Sequence, residues 1–233
     1  MNFEQMNNNK VTLSGEVVSE PKFSHEMFGE GFYEFDLKIK RLSNSFDIIP
    51  ITVSERLLNE NEVKINSKIC GVGQFRSYNK FEDNKSKLML TMFLREFLPY
   101  DKNGDINVIE ITGYVCKEPI YRTTPFKREI CDLLLAVNRN YNKSDYLPCI
   151  AWGRNAKYVK NFKVGDKLKV TGRVQSREYQ KKLENNEIIT KTAFEVSLSK
   201  ISLENDDISY VEKVKTSMGE IDNYYQKQVI EVE

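Results

Sequence analysis

With 233 residues the chain can form one large domain or two domains of about 100 residues each, and a hydrophobic fraction of 40% is enough for ordinary globular cores. No apolar run approaches the roughly 18 residues of a membrane span, and the formal charge of +1 gives no whole-chain preference for a polyanion. His25 is the only histidine, which removes most Ser/His/Asp, Cys/His and His-ligated metal schemes. Because the sequence also lacks a dense acidic or nucleophilic constellation, we expect no catalysis, no cofactor and no metal.

The N-terminus and the cysteines indicate the compartment. Residues 1–10 contain one late positive charge and no apolar segment, unlike a secretory signal. The cysteines are widely spaced, lie in apolar stretches and form no Cys-x-x-Cys pair from which a zinc site is built. We therefore expect a cytoplasmic, nucleoid-associated protein with reduced core thiols at Cys70, Cys116, Cys131 and Cys149.

An internal repeat divides the chain. Residues 11–21 return as residues 109–119 at an offset of 98, with Gly15 matched to Gly113 and one Glu-Pro pair matched to the other. A series of matches at a nearly constant offset indicates a duplicated domain. The further matches are Asp47 and Pro50 with Asp145 and Pro148, residues 35–39 with 131–135, and residues 73–77 with 172–176.

Each copy contains several short alternating strands rich in Val, Ile and Leu, with one short helical stretch in the middle. In the second copy this helix is predicted over residues 154–162, and the turn Gly165-Asp166 leads into the next strand. Five strands interrupted by one helix suggest the OB-fold, a small Greek-key barrel used for oligonucleotides. The sequence thus predicts a mainly β protein with two tandem five-stranded OB barrels, each with one short helix.

The predicted units differ in charge. The first copy, counted over residues 10–101, has a net charge of −1, whereas the second copy, counted over residues 106–204, has +7. The second copy is therefore the expected binder of a polyanion. In chain order we predict a first barrel over 1–101, a linker over 102–107, a second barrel over 108–204 and a tail with a net charge of −4 over 205–233.

Aromatic and basic side chains occur together in the second copy. Aromatic faces stack on unpaired bases of any sequence, while Lys and Arg side chains contact phosphates. A duplex suits this set poorly, because paired bases hide the faces on which a flat ring would stack. The aromatic candidates are Tyr141, Tyr146, Trp152 and Tyr179, and the basic candidates are Arg122, Arg139, Lys143, Arg154, Lys157, Arg173 and Arg177.

Each candidate has an ordinary structural alternative. A Tyr or Trp in a barrel often lies in the core or in an interface, and this applies most to Trp152, which ends the nearly continuous apolar stretch 149–152. A Lys or Arg side chain is often only solvated surface. The clustering of both kinds of side chain in one copy favours binding.

Six motifs run through the second copy: Gly113, Glu118-Pro119, Tyr121-Arg-Thr-Thr-Pro125, Leu135-Ala-Val-Asn-Arg139, Ala151-Trp-Gly-Arg-Asn-Ala156 and Val170-Thr-Gly-Arg-Val-Gln-Ser-Arg-Glu-Tyr179. In order and spacing they resemble the bacterial single-stranded DNA-binding protein family. The resemblance implies sequence-independent binding and protection of single-stranded DNA in replication, recombination or repair. It also implies base stacking by Tyr141, Tyr146, Trp152 and Tyr179, and backbone contacts by Arg139, Arg154, Arg173 and Arg177.

The first copy matches the family only in outline. It keeps Gly15, Pro21, Asp36 and Gly73, but Ile48 stands at the position of Tyr146 and Ser54 at the position of Trp152. With these losses and its net charge of −1, the first barrel is expected to bind more weakly and to be retained for assembly. Its best remaining contacts are Phe46, Arg76, Tyr78 and Lys80.

The tail departs from the family, whose bacterial members usually end in a short acidic tip that recruits replication and repair enzymes. Residues 228–233 lack such an Asp-rich tip. We expect the tail to form an amphipathic helix that docks on a barrel. Recruiting replication or repair proteins, or shielding the DNA-binding groove, are the less favoured roles. The apolar positions of this helix recur at spacings of 3 and 4: Ile208, Val211, Val214, Met218, Ile221 and Tyr225.

The resemblance implies four OB barrels in one working unit, so two barrels per chain predict a homodimer. Two other binding roles stay open, namely recognition of RNA and a protein-assembly module for replication restart or conjugation. Comparing the affinities for matched DNA and RNA oligomers distinguishes RNA recognition from DNA binding. The assembly role predicts an incomplete aromatic set, whereas the set in the second copy is complete.

Overall fold

The computed structural model describes residues 8–82, 85–102, 104–140, 143–182, 186 and 188–204. Within these ranges the chain forms twelve strands and two short helices, and the strands join one continuous sheet that closes into two barrels. The predicted mainly β architecture with tandem OB barrels is confirmed. None of the helices in these ranges is long and apolar enough to span a membrane.

The two barrels repeat the same order of elements, in which the helix follows the fourth strand. Each has one strand more than predicted, because a short edge strand, β2 or β8, pairs with the strand that follows it. The first barrel consists of β1 Asn9–Val17, β2 Lys22–Met27, β3 Glu30–Lys40, β4 Phe46–Ser54, α1 Glu55–Glu60, β5 Lys68–Glu82 and β6 Lys85–Leu98. The second consists of β7 Asn107–Val115, β8 Ile120–Thr123, β9 Glu129–Arg139, β10 Lys143–Trp152, α2 Arg154–Val159, β11 Lys167–Lys182 and β12 Ile188–Glu204.

Alternating apolar residues form the barrel cores. In β4 the side chains of Ile49, Ile51 and Val53 are fully buried, and in β9 Leu133 and Leu135 are buried in the same way. Successive side chains of a strand point to opposite sides, so these residues fill the barrel while their neighbours face outward. Each fully buried side chain of this kind contributes roughly 1.5–3 kcal/mol.

Two glycines of the repeat lie where strands approach closely. A β-carbon added at Gly73 would lie 2.1 Å from the Phe93 carbonyl oxygen, and one at Gly172 would lie 2.3 Å from the Ser197 carbonyl oxygen. Both positions adjoin a shift in strand register, between Val72 and Gly73 and between Thr171 and Gly172. The glycines recur because no side chain fits at these bends of the barrel wall.

Strands β1 and β7 join the two barrels. They pair antiparallel, with Val11 opposite Ile109, and these two residues are equivalent in the repeat because they are 98 positions apart. Antiparallel pairing of equivalent residues relates the barrels by an approximate twofold axis through this pair.

Reciprocal hydrogen bonds, here called the seam, reinforce this junction. The Ser176 N–H donates to Asp47 Oδ1 (2.7 Å), and the Ser77 N–H donates to Asp145 Oδ1 (2.8 Å). The serine hydroxyls accept in return, from the Ile48 N–H (3.1 Å) on one side and from the N–H of the equivalent tyrosine on the other (2.7 Å). Each repeat therefore binds the other through the same pair of residue types, and both carboxylates are 1% exposed.

One match between the two copies that was predicted from the sequence is wrong, namely residues 35–39 with residues 131–135. The sequence alignment matched Asp36 with Asp132, an offset of 96. The strand register instead pairs Asp36 with Pro50 and Leu134 with Pro148, so Leu134 is the equivalent of Asp36 at the offset of 98. The shared Asp-Leu dipeptide misled the alignment, since it recurs at an offset of 96 rather than 98.

The remaining predictions on the fold have mixed outcomes. Helix α2 begins at the predicted Arg154 but ends at Val159, since the Phe162 N–H donates to the Val159 carbonyl (3.0 Å) in a tighter turn. The four cysteines are free and buried, as predicted. The proposed tail helix lies outside the described residues.

Candidate nucleic-acid interface

The outward side of the second barrel brings several of the candidate residues together. Tyr146 lies opposite Ala136 and Trp152 lies opposite Ile130, and directly paired residues project to the same side of a sheet. Because Tyr146 and Trp152 are six positions apart on one strand, they share that side. Arg122 on β8 also lies opposite Ile130 and joins them.

Strand β11 adds three more side chains to the same side. Ile150 lies beside Ser197 in the parallel pairing of β10 with β12, and Arg173 lies opposite Ser197 on β11. Residues at even spacing follow Arg173 on that side, namely Arg177 and Tyr179. We call this surface the binding face: Arg122, Tyr146, Trp152, Arg173, Arg177 and Tyr179.

The rings of the binding face are partly open to solvent. Trp152 is 38% exposed, so the core position that its apolar neighbours suggested does not apply. Tyr146 is half-buried and packs on a small cluster outside the main core, formed by Cys116, Leu134 and Ala136. This cluster fixes the ring against the sheet and leaves part of it accessible.

Acidic partners hold two arginines of the binding face. Arg122 Nε donates to Asp132 Oδ2 (2.7 Å), and Arg177 Nε lies 3.8 Å from Glu195 Oε1. Burial raises the pKa of Glu195, and the Arg177 charge and a hydrogen bond from Gln175 oppose that shift only in part. The arginines are thereby oriented, at the cost of negative charge close to any bound phosphate.

Arg173 and Arg139 lie at the seam. Arg173 Nη1 donates to Asp47 Oδ2 (3.3 Å), next to Arg41, whose Nε donates to the same oxygen (2.8 Å). On the other side of the axis Arg139 Nε lies 3.4 Å from Asp145 Oδ2. Arg173 therefore also links the two barrels directly, whereas Arg139 pairs with the seam carboxylate of its own barrel.

The other candidates of the second barrel lie elsewhere. Lys143 is exposed and opposite Arg139, and Arg154 is exposed at the start of α2. Lys157 Nζ forms an ion pair with Glu129 Oε2 (3.0 Å). Tyr141 lies outside the described residues.

The candidates of the first barrel share its outward side. Phe46 is 49% exposed, with Lys38 Nζ 4.6 Å from the ring centroid. Tyr78 is 40% exposed, and its hydroxyl donates to Glu34 Oε1 (3.4 Å); burial, with help from the Glu34 charge, raises its pKa to about 12. Arg76 and Lys80 follow Tyr78 at even spacing on β5.

Two aromatic rings on the outward side of the first barrel were not identified from the sequence. Phe32 and Phe93 lie on the outward side of β3 and β6, with their ring centroids 5.6 Å apart. The alternation of β3 could have indicated Phe32, because Phe35, Leu37 and Ile39 alternate into the core and leave even-numbered positions outside. Phe93 carried no such signal, since most of its neighbours on β6 are also apolar.

Comparison with known proteins follows this division of the chain. Residues 106–203 match the model of the single-strand binding protein family. Single-stranded DNA-binding protein A of Bacillus subtilis is 31% identical over 97 residues, which are 39% of this chain and 56% of that protein. Single-stranded DNA-binding protein 3 of Streptococcus agalactiae is 33% identical over 82 residues, which are 32% of this chain and 59% of that protein. The chain thus spans less than two thirds of the length of both relatives.

The fold extends the comparison to the first barrel. The crystal structure of the wild-type single-stranded DNA binding protein from Thermus aquaticus superimposes with a TM-score of 0.69, covering 86% of this chain and 95% of that one. A deletion mutant of the same protein gives a TM-score of 0.66. The identities of 17% and 18% establish a shared tandem-barrel fold and nothing finer.

Proposed function

We propose that this protein, whose residues 106–203 match the single-strand binding protein family, binds single-stranded DNA without sequence preference and without catalysis. The relatives named above are single-stranded DNA-binding proteins by name. The proposal extends that activity to this chain and assigns it chiefly to the second barrel.

The binding face is the observation that carries this proposal. Tyr146, Trp152 and Tyr179 project from the same side of the barrel as Arg122, Arg173 and Arg177. Rings stack on bases of any sequence, and arginines contact the phosphates between them. Such a surface requires unpaired bases, because a duplex offers no free base faces.

A cellular role and an assembly accompany the proposal. We infer protection of single strands in replication, recombination or repair, in a cytoplasmic and nucleoid-associated protein. A homodimer would bring four OB barrels together, and a partner protein could bind through residues 205–233. The tandem barrels and the shared fold support this arrangement.

Binding of oligo-dT tests the proposal. We expect much tighter binding of oligo-dT than of a blunt duplex of equal length, with log K falling by about 0.7 per neutralised phosphate for each tenfold rise in salt concentration. The measurement is quenching of Trp152 fluorescence at several salt concentrations, and Trp152 is the only tryptophan of the chain. Equal affinity for the duplex, or an affinity independent of salt, would contradict the proposal.

A further inference from the structure

The first barrel carries a row of three rings, here called the aromatic strip, that runs from β2 across β3 and β4 to β6. His25 on β2 stacks on Phe32 of β3, with centroids 5.0 Å apart and planes at 14°. Phe32 then contacts Phe93 of β6 at 5.6 Å. All three project outward, as His25 pairs with Phe32 and Phe93 lies beside Thr52 on β4.

The aromatic strip lies at the place where matching the two copies position by position found no ring in the first barrel. In the second barrel Trp152 on β10 lies opposite Ile130 on β9. In the first barrel the equivalent pair is Ser54 on β4 opposite Phe32 on β3. The ring is therefore present in both barrels, but it is carried by the neighbouring strand.

Two guanidinium groups lie over Phe93, at one end of the aromatic strip. Arg76 Cζ is 4.0 Å and Arg95 Cζ is 5.7 Å from the centroid of the Phe93 ring, a cation–π arrangement. Both donate to Gln74 Oε1, at 2.9 Å and 3.2 Å. The cations are held in place by a neutral amide, which leaves their charge available to an anion.

Arg76 also connects the strip with the second barrel. Its Nε is buried and has no hydrogen-bond partner in the described part of the chain. Burial, and then repulsion by Arg95 and Arg139, lowers the pKa of Arg76 to about 10, and the buried Asp145 opposes this only in part. Arg76 and Arg139 thus share one carboxylate, Asp145, and Arg95 adds a third positive charge beside Arg76, an excess of positive charge that a phosphate would relieve.

We propose that the aromatic strip, with Arg76 and Arg95, is a second base-stacking site that receives the same single strand after it leaves the second barrel. The rings stack on unpaired bases, and the arginines at the seam bind the phosphate between the two barrels. This inference rests on the proposed function and changes the role of the first barrel from assembly to binding.

A double variant tests the strip. Phe32→Leu with Phe93→Leu removes both rings but keeps the sheet face apolar. The first ligand is oligo-dT of about 30 nucleotides, which can cover two barrels, and the second is about 8 nucleotides, which fits one. We expect the variant to bind the long oligomer at least about tenfold more weakly and to give unchanged Trp152 quenching by the short one.

Phe23→Leu is the matched control. Phe23 is an exposed ring on the same edge strand, but it pairs with Tyr33 on the opposite side of the sheet. We expect this variant to bind both oligomers as the wild type does. If the double variant binds the long oligomer with wild-type affinity, the aromatic strip is not a base-stacking site. If the wild type itself binds neither oligomer, the proposed function fails instead.

Cross-linking of the wild-type protein supplies a readout that does not depend on a variant's folding. Long oligo-dT with 5-iodouracil at intervals is irradiated, and the attached peptides are mapped. We expect adducts on His25, Phe32 or Phe93 in addition to those on the second barrel. Adducts confined to the second barrel would overturn the inference.

Discussion

Tyr179 is the side chain whose removal should show most directly that rings carry the binding. It ends the row Arg173, Arg177 and Tyr179 on β11, and the Arg177 guanidinium lies 5.9 Å from its ring centroid. Stacking on a base is worth about 1–3 kcal/mol per ring. We expect Tyr179→Ala to lower the affinity for oligo-dT about tenfold or more, and to do so more strongly than Tyr78→Ala.

The matched control for this prediction is Tyr158→Ala. Tyr158 is an exposed tyrosine on α2 that packs edge-on against Phe162, away from the binding face. Its removal should leave the affinity unchanged. If Tyr78→Ala proves more damaging than Tyr179→Ala, the main site belongs to the first barrel.

Gly172 is a residue at which stability, rather than binding, depends on the absence of a side chain. Gly172→Ala places a β-carbon 2.3 Å from the Ser197 carbonyl oxygen, a backbone atom that cannot move without disturbing the β11–β12 pairing. Overpacking of this kind costs typically 1–3 kcal/mol. We expect a lowered free energy of unfolding in urea, while Gly31→Ala, which meets only the flexible Glu55 side chain, changes it little.

Single residues were predictable from sequence where a repeat or an alternation marked them. Tyr146, Trp152 and Tyr179 were selected for their basic neighbours and for the family resemblance, and the structure places all three on one side of the barrel. Asp47 and Asp145 were noticed as matching positions, but their role was not predicted. Each accepts a backbone N–H from the other barrel, and such a contact depends on a docking geometry that local sequence does not encode.

At the scale of strands, the main obstacle to prediction was the pairing between them. Comparing the copies position by position found Ser54 in place of Trp152 and concluded that a ring was lost. The register shows Phe32 directly opposite Ser54, so the loss on one strand is matched by a gain on the next. Which residues lie opposite each other is a long-range property, and a pattern along one strand cannot reveal it.

Glu195, beside Arg177, makes the β11–β12 pairing sensitive to pH. The pKa of Glu195 is raised above its ordinary value of 4.5, chiefly by burial. Its protonation is therefore favoured by folding, and the associated stability is present at acid pH and lost as the pH rises through the raised pKa. Above that raised pKa the carboxylate is a negative charge close to the proposed path of the phosphates.

Glu195→Gln should accordingly strengthen binding at pH values above the raised pKa of Glu195. Two unit charges about 4 Å apart in water interact by about 1 kcal/mol, so we expect roughly a fivefold gain in affinity for oligo-dT. The difference from the wild type should shrink as the pH falls through the raised pKa. Titrations of both proteins with oligo-dT over that pH range measure this difference, with the exposed Glu178→Gln as the control. Weaker binding of Glu195→Gln would mean that the carboxylate is needed to orient Arg177.

At the scale of the molecule, two barrels per chain predict an assembly of two chains. Closed twofold dimers are the commonest oligomers, and sites held close together raise avidity by roughly 100-fold or more. We expect light scattering to give twice the chain mass of 27.2 kDa, and long oligo-dT to bind far more tightly than two short pieces. A monomer at micromolar concentration would remove the dimer and leave the tandem barrels to act alone.

The approximate twofold axis between β1 and β7 has a consequence for the direction of the bound strand. A single strand of DNA runs from a 5′ end to a 3′ end. Two identical barrels related by a true twofold axis would accept either direction equally. Here one barrel offers Trp152 where the other offers Ser54, and the side chains near the seam differ as well, since Arg173 and Gln175 occupy the positions that Gln74 and Arg76 occupy in the first barrel. Because the two barrels differ in this way, we expect one orientation of a bound strand to be favoured over the reverse.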